Sequence, residues 1–446
     1  MRKQPNIFAA LAQVNRLELA VRRNEEAIAK RRIKDPLLHS EFSVSGLDPI
    51  SGALDKWKFN RRLGAGAFGI VYEAERRKNS PSRPNKLAVK IFPRGKDKAG
   101  KTKSIEEAKR EPEKEFTILQ YLEKEGLGQC VVNAFSTGFF ISRYMDKNGR
   151  VSKDTDSLYY VSEELMDGDL EDFWKKVYLP QYEEAQKNVK KQKALKKLLG
   201  RLYDLFIGLV YCIGNIHSKG IILRDIKPPN ILYKKIGNGF NFKFSDVGLS
   251  CGMSIVFAID GNFSVTESCE TSGLAGTVTY FGPEISEKHA IAIPGIEGKT
   301  IFDPENRKLA VEKDVAFMGS DYWALGMTIL QVLIANPTAY YFPSEGASSR
   351  YVIKMNKWWT GLLSKRFNKS GITTISEIKP AYLKWKSNPK IKIYLESLMD
   401  KKGFENIATL ARVLLTVDPE ERKKNIDNIL NNYSGPRRRR IRTPKK

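Results

Sequence analysis

Residues 220–233 read GIILRDIKPPNILY, with an Arg, an Asp, a Lys, two prolines and an Asn set between two aliphatic runs. Pro228 and Pro229 can continue neither a helix nor a central strand. The stretch therefore reads as a loop, pinned by prolines and anchored at both ends, of the kind that holds polar side chains in place. What Asp225, Lys227 and Asn230 are held for is decided by the segments on either side.

Upstream, residues 63–74 read LGAGAFGIVYEA, with Gly64, Gly66 and Gly69 in G-x-G-x-x-G spacing. Glycines there permit a tight turn and let backbone N–H groups approach phosphate oxygens. A dinucleotide fingerprint has to open a helix. Here IVYEAERR continues as a strand of β-branched and aromatic residues, so the glycines belong to a hairpin. The next strand, KLAVKIF, sets Lys90 among Leu87, Ala88, Val89 and Ile91. A functional lysine in such company needs a buried carboxylate partner. A helix expected over residues 104–124 supplies Glu115, which shares a face with Ile118, Leu119 and Leu122. Glu111 and Glu113 are displaced from that stripe, and Pro112 places the start of the regular helix near itself. Downstream, FKFSDVGLS puts Asp246 just after a short apolar strand. Asn230 and Asp246 offer the oxygen ligands that divalent metals take, close to Asp225.

Taken together and in this order, the motifs resemble those of the eukaryotic-type Ser/Thr protein kinase catalytic domain, over about residues 58–434. The resemblance implies an α+β, bilobal fold: a small antiparallel β-sheet N-lobe with one main helix, then a larger, mainly helical C-lobe. It implies an enzyme that moves the γ-phosphoryl group of ATP to Ser/Thr hydroxyls of protein substrates, using Mg2+ or Mn2+. Carried over residue by residue, Leu63, Gly64, Gly66 and Gly69 cover the nucleotide, and Val71, Ala88 and Leu232 sandwich the adenine. SEELMDGDL would be the hinge, with adenine bonded to backbone around Glu163 and Leu165. Lys90 holds the α- and β-phosphates while paired with Glu115. Asp225 takes or orients the substrate proton, Lys227 neutralises the moving phosphoryl group, and Asn230 and Asp246 bind metal. Glu284, in GTVTYFGPE, would pair with Arg422, and Asp321, in SDYWALG, would brace the catalytic loop.

The chain departs from the family pattern at Leu223, where His is usual before Arg-Asp, and at Val247, where Phe is usual in Asp-Phe-Gly. Both keep an apolar core column apolar, which reads as repacking with activity retained. Arg224 before Asp225 implies regulation by a phosphate in the activation segment, with Thr271 and Ser272 the candidate acceptors. Lys227 and Thr277 place the chain on the Ser/Thr branch, and Asp169 could favour a basic residue ahead of the acceptor. Ser162 would be a small residue at the back of the adenine pocket. A pseudokinase-type scaffold, or a regulatory binding module whose basic tails dock acidic partners, is the alternative. It predicts loss of Lys90, Asp225 or Asp246, and all three are present.

The 446 residues are 41% hydrophobic and 28% charged, enough for a sizeable core. The net charge of +25 calls for acidic partners. Basic residues crowd the ends, and the last ten, RRRRIRTPKK, hold seven basic groups and no acid. The organisation expected is a partly helical basic extension over 1–57, with apolar residues at helical spacing from Ile7 to Ile28, and a kinase domain over 58–434. Within the domain, the N-lobe takes about 58–165 and the C-lobe about 166–434, with an insertion near 286–316. A polybasic tail, 435–446, completes it and is suited to an acidic partner or an import receptor. Aromatics that could stack on bases are missing from that tail, which disfavours nucleic acid. The Lys-rich run EEAQKNVKKQKALKK reads as an exposed insertion or a helix start. Cys130, Cys212, Cys251 and Cys269 lack metal-site spacing, and a reducing compartment is the default. No transmembrane run or secretory signal is evident. The expected setting is soluble and intracellular, in cytoplasm or nucleus, with organelle targeting by the extension left open.

Overall fold

The computed structural model describes residues 41–47, 54–66, 69–76, 84–93, 103–139, 158–178, 192–252, 318–329, 405–416 and 419–433, with isolated positions between them. The chain divides into two compact units, one of residues 1–120 with 132–165 and one of 121–131 with 166–446.

The first unit is built on a six-stranded antiparallel sheet in the order β1-β2-β3-β4-β6-β5. Its strands are β1 (Glu41–Leu47), β2 (Leu54–Gly66), β3 (Gly69–Arg76), β4 (Lys86–Pro93), β5 (Ala134–Phe139) and β6 (Leu158–Glu164). The period-2 alternation of β4 sends Leu87, Val89 and Ile91 to one face and Ala88 and Lys90 to the other. The first face meets Trp57, Phe59, Tyr72, Ala74 and Tyr160 in one buried cluster. Phe59 stacks on Tyr72 and Trp57 meets Tyr160 edge-on, each pair with ring centroids 4.9 Å apart. Burying a large side chain of this kind stabilises by roughly 1.5–3 kcal/mol, so the cluster fixes the register of four strands.

The sheet starts earlier than the sequence reading placed it. Residues 41–47, assigned above to the N-terminal extension, form β1 and pair with β2, Phe42 opposite Trp57 and Leu47 opposite Leu54. The cue was the alternation in EFSVSGL followed by turn residues Asp48, Pro49 and Gly52. The expected N-terminal helix from Ile7 lies outside the described residues.

Helix α1 runs Ile105–Leu122, then a π-type turn follows over Glu123–Leu127. α1 matches the helix expected over 104–124, but it is regular from seven residues before Pro112, which it carries inside. Ser104 and Glu107 form a reciprocal cap: Glu107 N donates to Ser104 Oγ at 3.2 Å and Ser104 N donates to the Glu107 carboxylate at 2.8 Å. That capping box sets the start, and the proline only removes one N–H from the ladder. The stripe Glu115, Ile118, Leu119 and Leu122 is buried as expected.

The second unit centres on α2 (Gln192–Ser218), which begins inside the Lys-rich run. Leu199, Leu202, Phe206, Leu209, Ile213 and Ile216 recur at three- and four-residue spacing and are all buried. The window Lys197–Ser218 is long and apolar enough to cross a membrane by length and composition alone, and most of it is buried in the folded protein. After α2 come β8 (Ile221–Ile222), β9 (Ile231–Ile236), β10 (Gly239–Phe244) and β11 (Cys251–Gly252), with β9 also pairing with β7 (Gly168–Asp169). Helical residues 318–329 (α3), α4 (Glu405–Leu414) and α5 (Pro419–Asn432) complete the unit. Tyr433 ties the end of α5 to α2 through Asp204, at 2.6 Å.

The cysteines, assigned above to a reducing compartment, do bond. Cys130 and Cys212, 82 residues apart in sequence, form a disulfide with Cα atoms 5.2 Å apart, and Cys251 is disulfide-bonded as well. Sequence spacing carried no sign of this, because the folding of 121–131 against α2 is what brings the first pair together. Disulfides typically stabilise by roughly 2–4 kcal/mol.

Candidate active site

The segment 223–230 is shaped by its backbone first. Arg224 adopts a left-handed conformation, φ 68°, which a side chain other than glycine rarely takes. Asp321, at the start of α3, holds it there. Its Oδ2 accepts the N–H of Leu223 and its Oδ1 that of Arg224, both at 2.8 Å. His217, at the end of α2, lies 2.9 Å from the same Oδ2 through Nε2. Asp321 and His217 are buried, so this carboxylate replaces water for two backbone donors. His217 was not among the expected site residues; a single imidazole at a helix end gives no sign that it will face a carboxylate 104 residues away.

The loop so fixed gathers three of the expected residues. Asp225 is buried, and its Oδ2 is 2.8 Å from Lys227 Nζ and 3.0 Å from Asn230 Nδ2. The same amide nitrogen donates to the Asp225 carbonyl at 2.9 Å. Pro228 and Pro229 open a short 3-10 turn ending on Asn230. Asn230 O accepts the N–H of Ser245 at 2.9 Å, which couples the loop to the residue before Asp246. Asp246 is itself left-handed, φ 55°, and heads a second 3-10 turn, Val247–Leu249. Leu223 and Val247 are buried, so both departures from the family pattern are apolar core residues here.

The remaining expected residues, apart from Leu232, lie in the first unit. Lys90 Nζ is 2.8 Å and 2.7 Å from the two carboxylate oxygens of Glu115, with Lys90 buried and Glu115 only 1% exposed. Glu111 and Glu113 instead pair with Lys103 and Lys109 at the exposed surface. The β2–β3 hairpin closes at Gly66 opposite Gly69. A Cβ on Gly69 would run into the backbone oxygen of Ile91, so no other residue fits there without a shift of β4. Val71 lies opposite Lys90, and Ala88 opposite Glu163. Leu63 is exposed, and Leu165 ends this unit. Leu232 belongs to the second unit, on β9 opposite Lys243.

The chain's own sequence decides the family. The protein kinase domain profile matches residues 57–294, more than half of the chain. The chain belongs to the protein kinase family. This kinase is 23% identical over 374 residues to the serine/threonine-protein kinase cds1 of Schizosaccharomyces pombe, covering 84% of this chain and 63% of that protein. It is 23% identical over 367 residues to CBL-interacting serine/threonine-protein kinase 20 of Arabidopsis thaliana, covering 79% of this chain and 60% of the relative. It is also 28% identical over 248 residues to the probable serine/threonine-protein kinase fhkB of Dictyostelium discoideum, covering 56% and 17%. The kinase thus spans less than two thirds of the length of each of these relatives.

Other expected contacts have different outcomes. Glu284, Thr271, Ser272, Thr277 and the insertion near 286–316 lie outside the described residues. Arg422, the expected partner of Glu284, is fully buried, donates to the carbonyls of Gly319 and Thr416 at 2.6 and 2.8 Å, and lies over the Trp323 ring. Asp169 caps the helical turn Leu170–Asp172 by accepting the Asp172 N–H at 2.8 Å, and burial pushes its carboxyl above the usual range. Ser162 on β6 is fully buried with its Oγ 2.7 Å from Ser136 Oγ.

Two predictions arise here. Asp321→Ala strands two buried backbone N–H groups at about 1–3 kcal/mol each and frees Arg224 to relax. The kinase should lose several degrees in Tm and most of its turnover, while Asp321→Asn, which keeps one acceptor oxygen, should fall between. An undiminished turnover for Asp321→Ala would show that the loop does not need the brace. At Ser162, inhibitors with bulky back-pocket groups should bind at least tenfold more weakly to Ser162→Met than to the parent; equal potency would remove Ser162 from the nucleotide pocket.

Proposed function

We propose that this chain is an active Ser/Thr protein kinase that transfers the γ-phosphoryl group of ATP to Ser/Thr hydroxyls of protein substrates with a divalent metal, Mg2+ by preference. The observation that carries the reading is the loop in which Asp225, Lys227 and Asn230 meet within 3.0 Å, braced by a buried carboxylate. Phosphoryl transfer needs placement and charge neutralisation more than covalent help, and this loop supplies both. Asp225 accepts the hydroxyl proton as the oxygen attacks the γ-phosphorus and the bond to the β-phosphate oxygen breaks. Lys227, beside Asp225, offsets charge on the moving group. Lys90, set by Glu115, holds the α- and β-phosphates under the glycine hairpin.

The donor set fits a metal shared with phosphates. The Asn230 amide nitrogen is committed to Asp225, which leaves its oxygen to serve as one ligand, with the Asp246 carboxylate proposed as the other. No cluster of three or more His, Cys, Asp or Glu exists among the described residues to form a metal cage from protein alone. A site with few protein ligands suits Mg2+, which keeps substrate phosphates and water in its shell and there neutralises phosphate charge. The polybasic residues 435–446 serve as a tether for an acidic partner or import receptor, with binding that weakens steeply as salt rises.

The test is incubation of the full chain with radiolabelled ATP, Mg2+ and generic acceptor proteins, followed by phosphoamino-acid analysis. Label on Ser and Thr is expected. Label on Tyr alone overturns the assignment of branch, and nucleotide binding without any transfer favours the scaffold reading.

A further inference from the structure

Residues 121–131 follow α1 and belong to the second unit. Their first half is tied down by Tyr121 Oη, which donates to Lys219 O at 3.2 Å, and by Lys219 Nζ, 2.7 Å from Glu125 Oε2. Their second half lies along β10. Asn241 Nδ2 donates to Gln129 O at 3.2 Å, Phe244 N donates to Cys130 O at 2.8 Å, and Val131 bridges Phe244 in parallel sense. The other edge of β10 pairs with β9, where Phe244 faces Ile231, the neighbour of Asn230. Phe244 stands two residues before Asp246, and the strand end leading to that residue is held on both edges: by β9, which starts directly after Asn230, and by the segment 129–131. The second of these is fixed covalently, by the buried bond from Cys130 to Cys212 of α2.

We propose that the Cys130–Cys212 disulfide is a positioning element for Asp246, so that phosphoryl transfer by this kinase depends on the redox state of that pair. The inference rests on the reading of Asp246 as a metal ligand. Opening the bond takes two electrons. A dithiol reductant attacks one sulfur as its thiolate, forms a mixed disulfide, and leaves as its own cyclic disulfide while Cys130 and Cys212 become thiols. Closure is the reverse exchange, with a disulfide-bearing oxidoreductase as the acceptor of the two electrons. Two thiols need more room than one bond, and in a packed interior that room is taken by shifting Cys130 away from α2 and into β10. The displacement is delivered through the Cys130 O–Phe244 N hydrogen bond to the approach of Asp246.

The experiment uses the full chain purified without reductant, then treated or not with dithiothreitol. Alkylation and mass spectrometry of the Cys130 and Cys212 peptides report the state of the bond. Turnover, the Mg2+ concentration for half-maximal activity, and hydrogen exchange over residues 240–246 are the readouts. On opening of the bond, kcat should fall at least tenfold, the half-saturating Mg2+ should rise several-fold, KM for the protein acceptor should hold, and the Phe244 amide should exchange faster. The Cys130→Ser/Cys212→Ser double variant should match the reduced parent and no longer respond to dithiothreitol. Because Cys251 is also bonded, a double variant that keeps parental activity, or still responds to dithiothreitol as the parent does, overturns the proposal. So does complete alkylation of both cysteines before any reduction. If the double variant does not fold, exchange on the parent decides, and unchanged rates over 240–246 with the bond open overturn it. Asp246→Asn separates the two ideas: activity retained in that variant removes the metal reading, while the exchange result still judges the positioning.

Discussion

Asp225→Asn should lower the turnover of this kinase about 10³-fold, within the range lost when a positioned proton acceptor is removed, while nucleotide affinity stays within about twofold. The amide keeps the size and can still contact Asn230 and Lys227, so the loop geometry survives. What it removes is the negative charge beside Lys227, 2.8 Å away in the parent, and the basic oxygen for the substrate proton. Asp246→Asn should be equally inactive for a different reason, since it weakens the proposed metal ligand and should shift the requirement for Mg2+ upward. Steady-state rates across a magnesium titration, with nucleotide affinity measured alongside, distinguish the two. Comparable activity in parent and Asp225→Asn would strip Asp225 of its proposed role.

Glu115→Ala should be the most destabilising single change in the first unit. It leaves the Lys90 ammonium buried without its carboxylate, and breaking one side of a buried pair costs about 3–5 kcal/mol. The lysine would respond by favouring its neutral form or by swinging toward solvent, and either outcome removes the cation proposed to hold the phosphates. Denaturant unfolding measures the first effect, and phosphotransfer assays the second. The Lys90→Met/Glu115→Leu double variant sharpens the test. Replacing both charges with apolar groups of similar volume should recover most of the stability, because neither charge then needs solvation, yet activity should remain absent. A double variant as unstable as Glu115→Ala would mean that the pair is held by more than its own charges.

Much of this was legible before any coordinates. The glycine hairpin could be told from a dinucleotide turn because β-branched residues follow it directly. Glu115 could be preferred over its rivals Glu111 and Glu113 because it sits within one turn of Ile118 and Leu119 on the apolar face, and the exposed rivals indeed pair at the surface. The span of α1 was legible, but its regular turns begin before Pro112 because the capping box of Ser104 and Glu107 satisfies two end donors and outweighs one lost N–H. β1 was missed because a short edge strand gives few residues of alternation, and its stability comes from pairing with β2.

Residue order alone determined the family and the sheet-then-helix layout, and it named the side chains proposed for phosphoryl transfer, because period and spacing are local properties that the backbone enforces within a few residues. Only the tertiary structure decided that Arg224 is left-handed where the expected Asp321 brace holds it, that His217 joins that brace through Asp321, and that Cys130 is bonded to Cys212. These pairings join residues about 80 to 100 positions apart. Their formation depends on which helix faces pack together, a choice made by the whole apolar core and written in no single stretch of the chain.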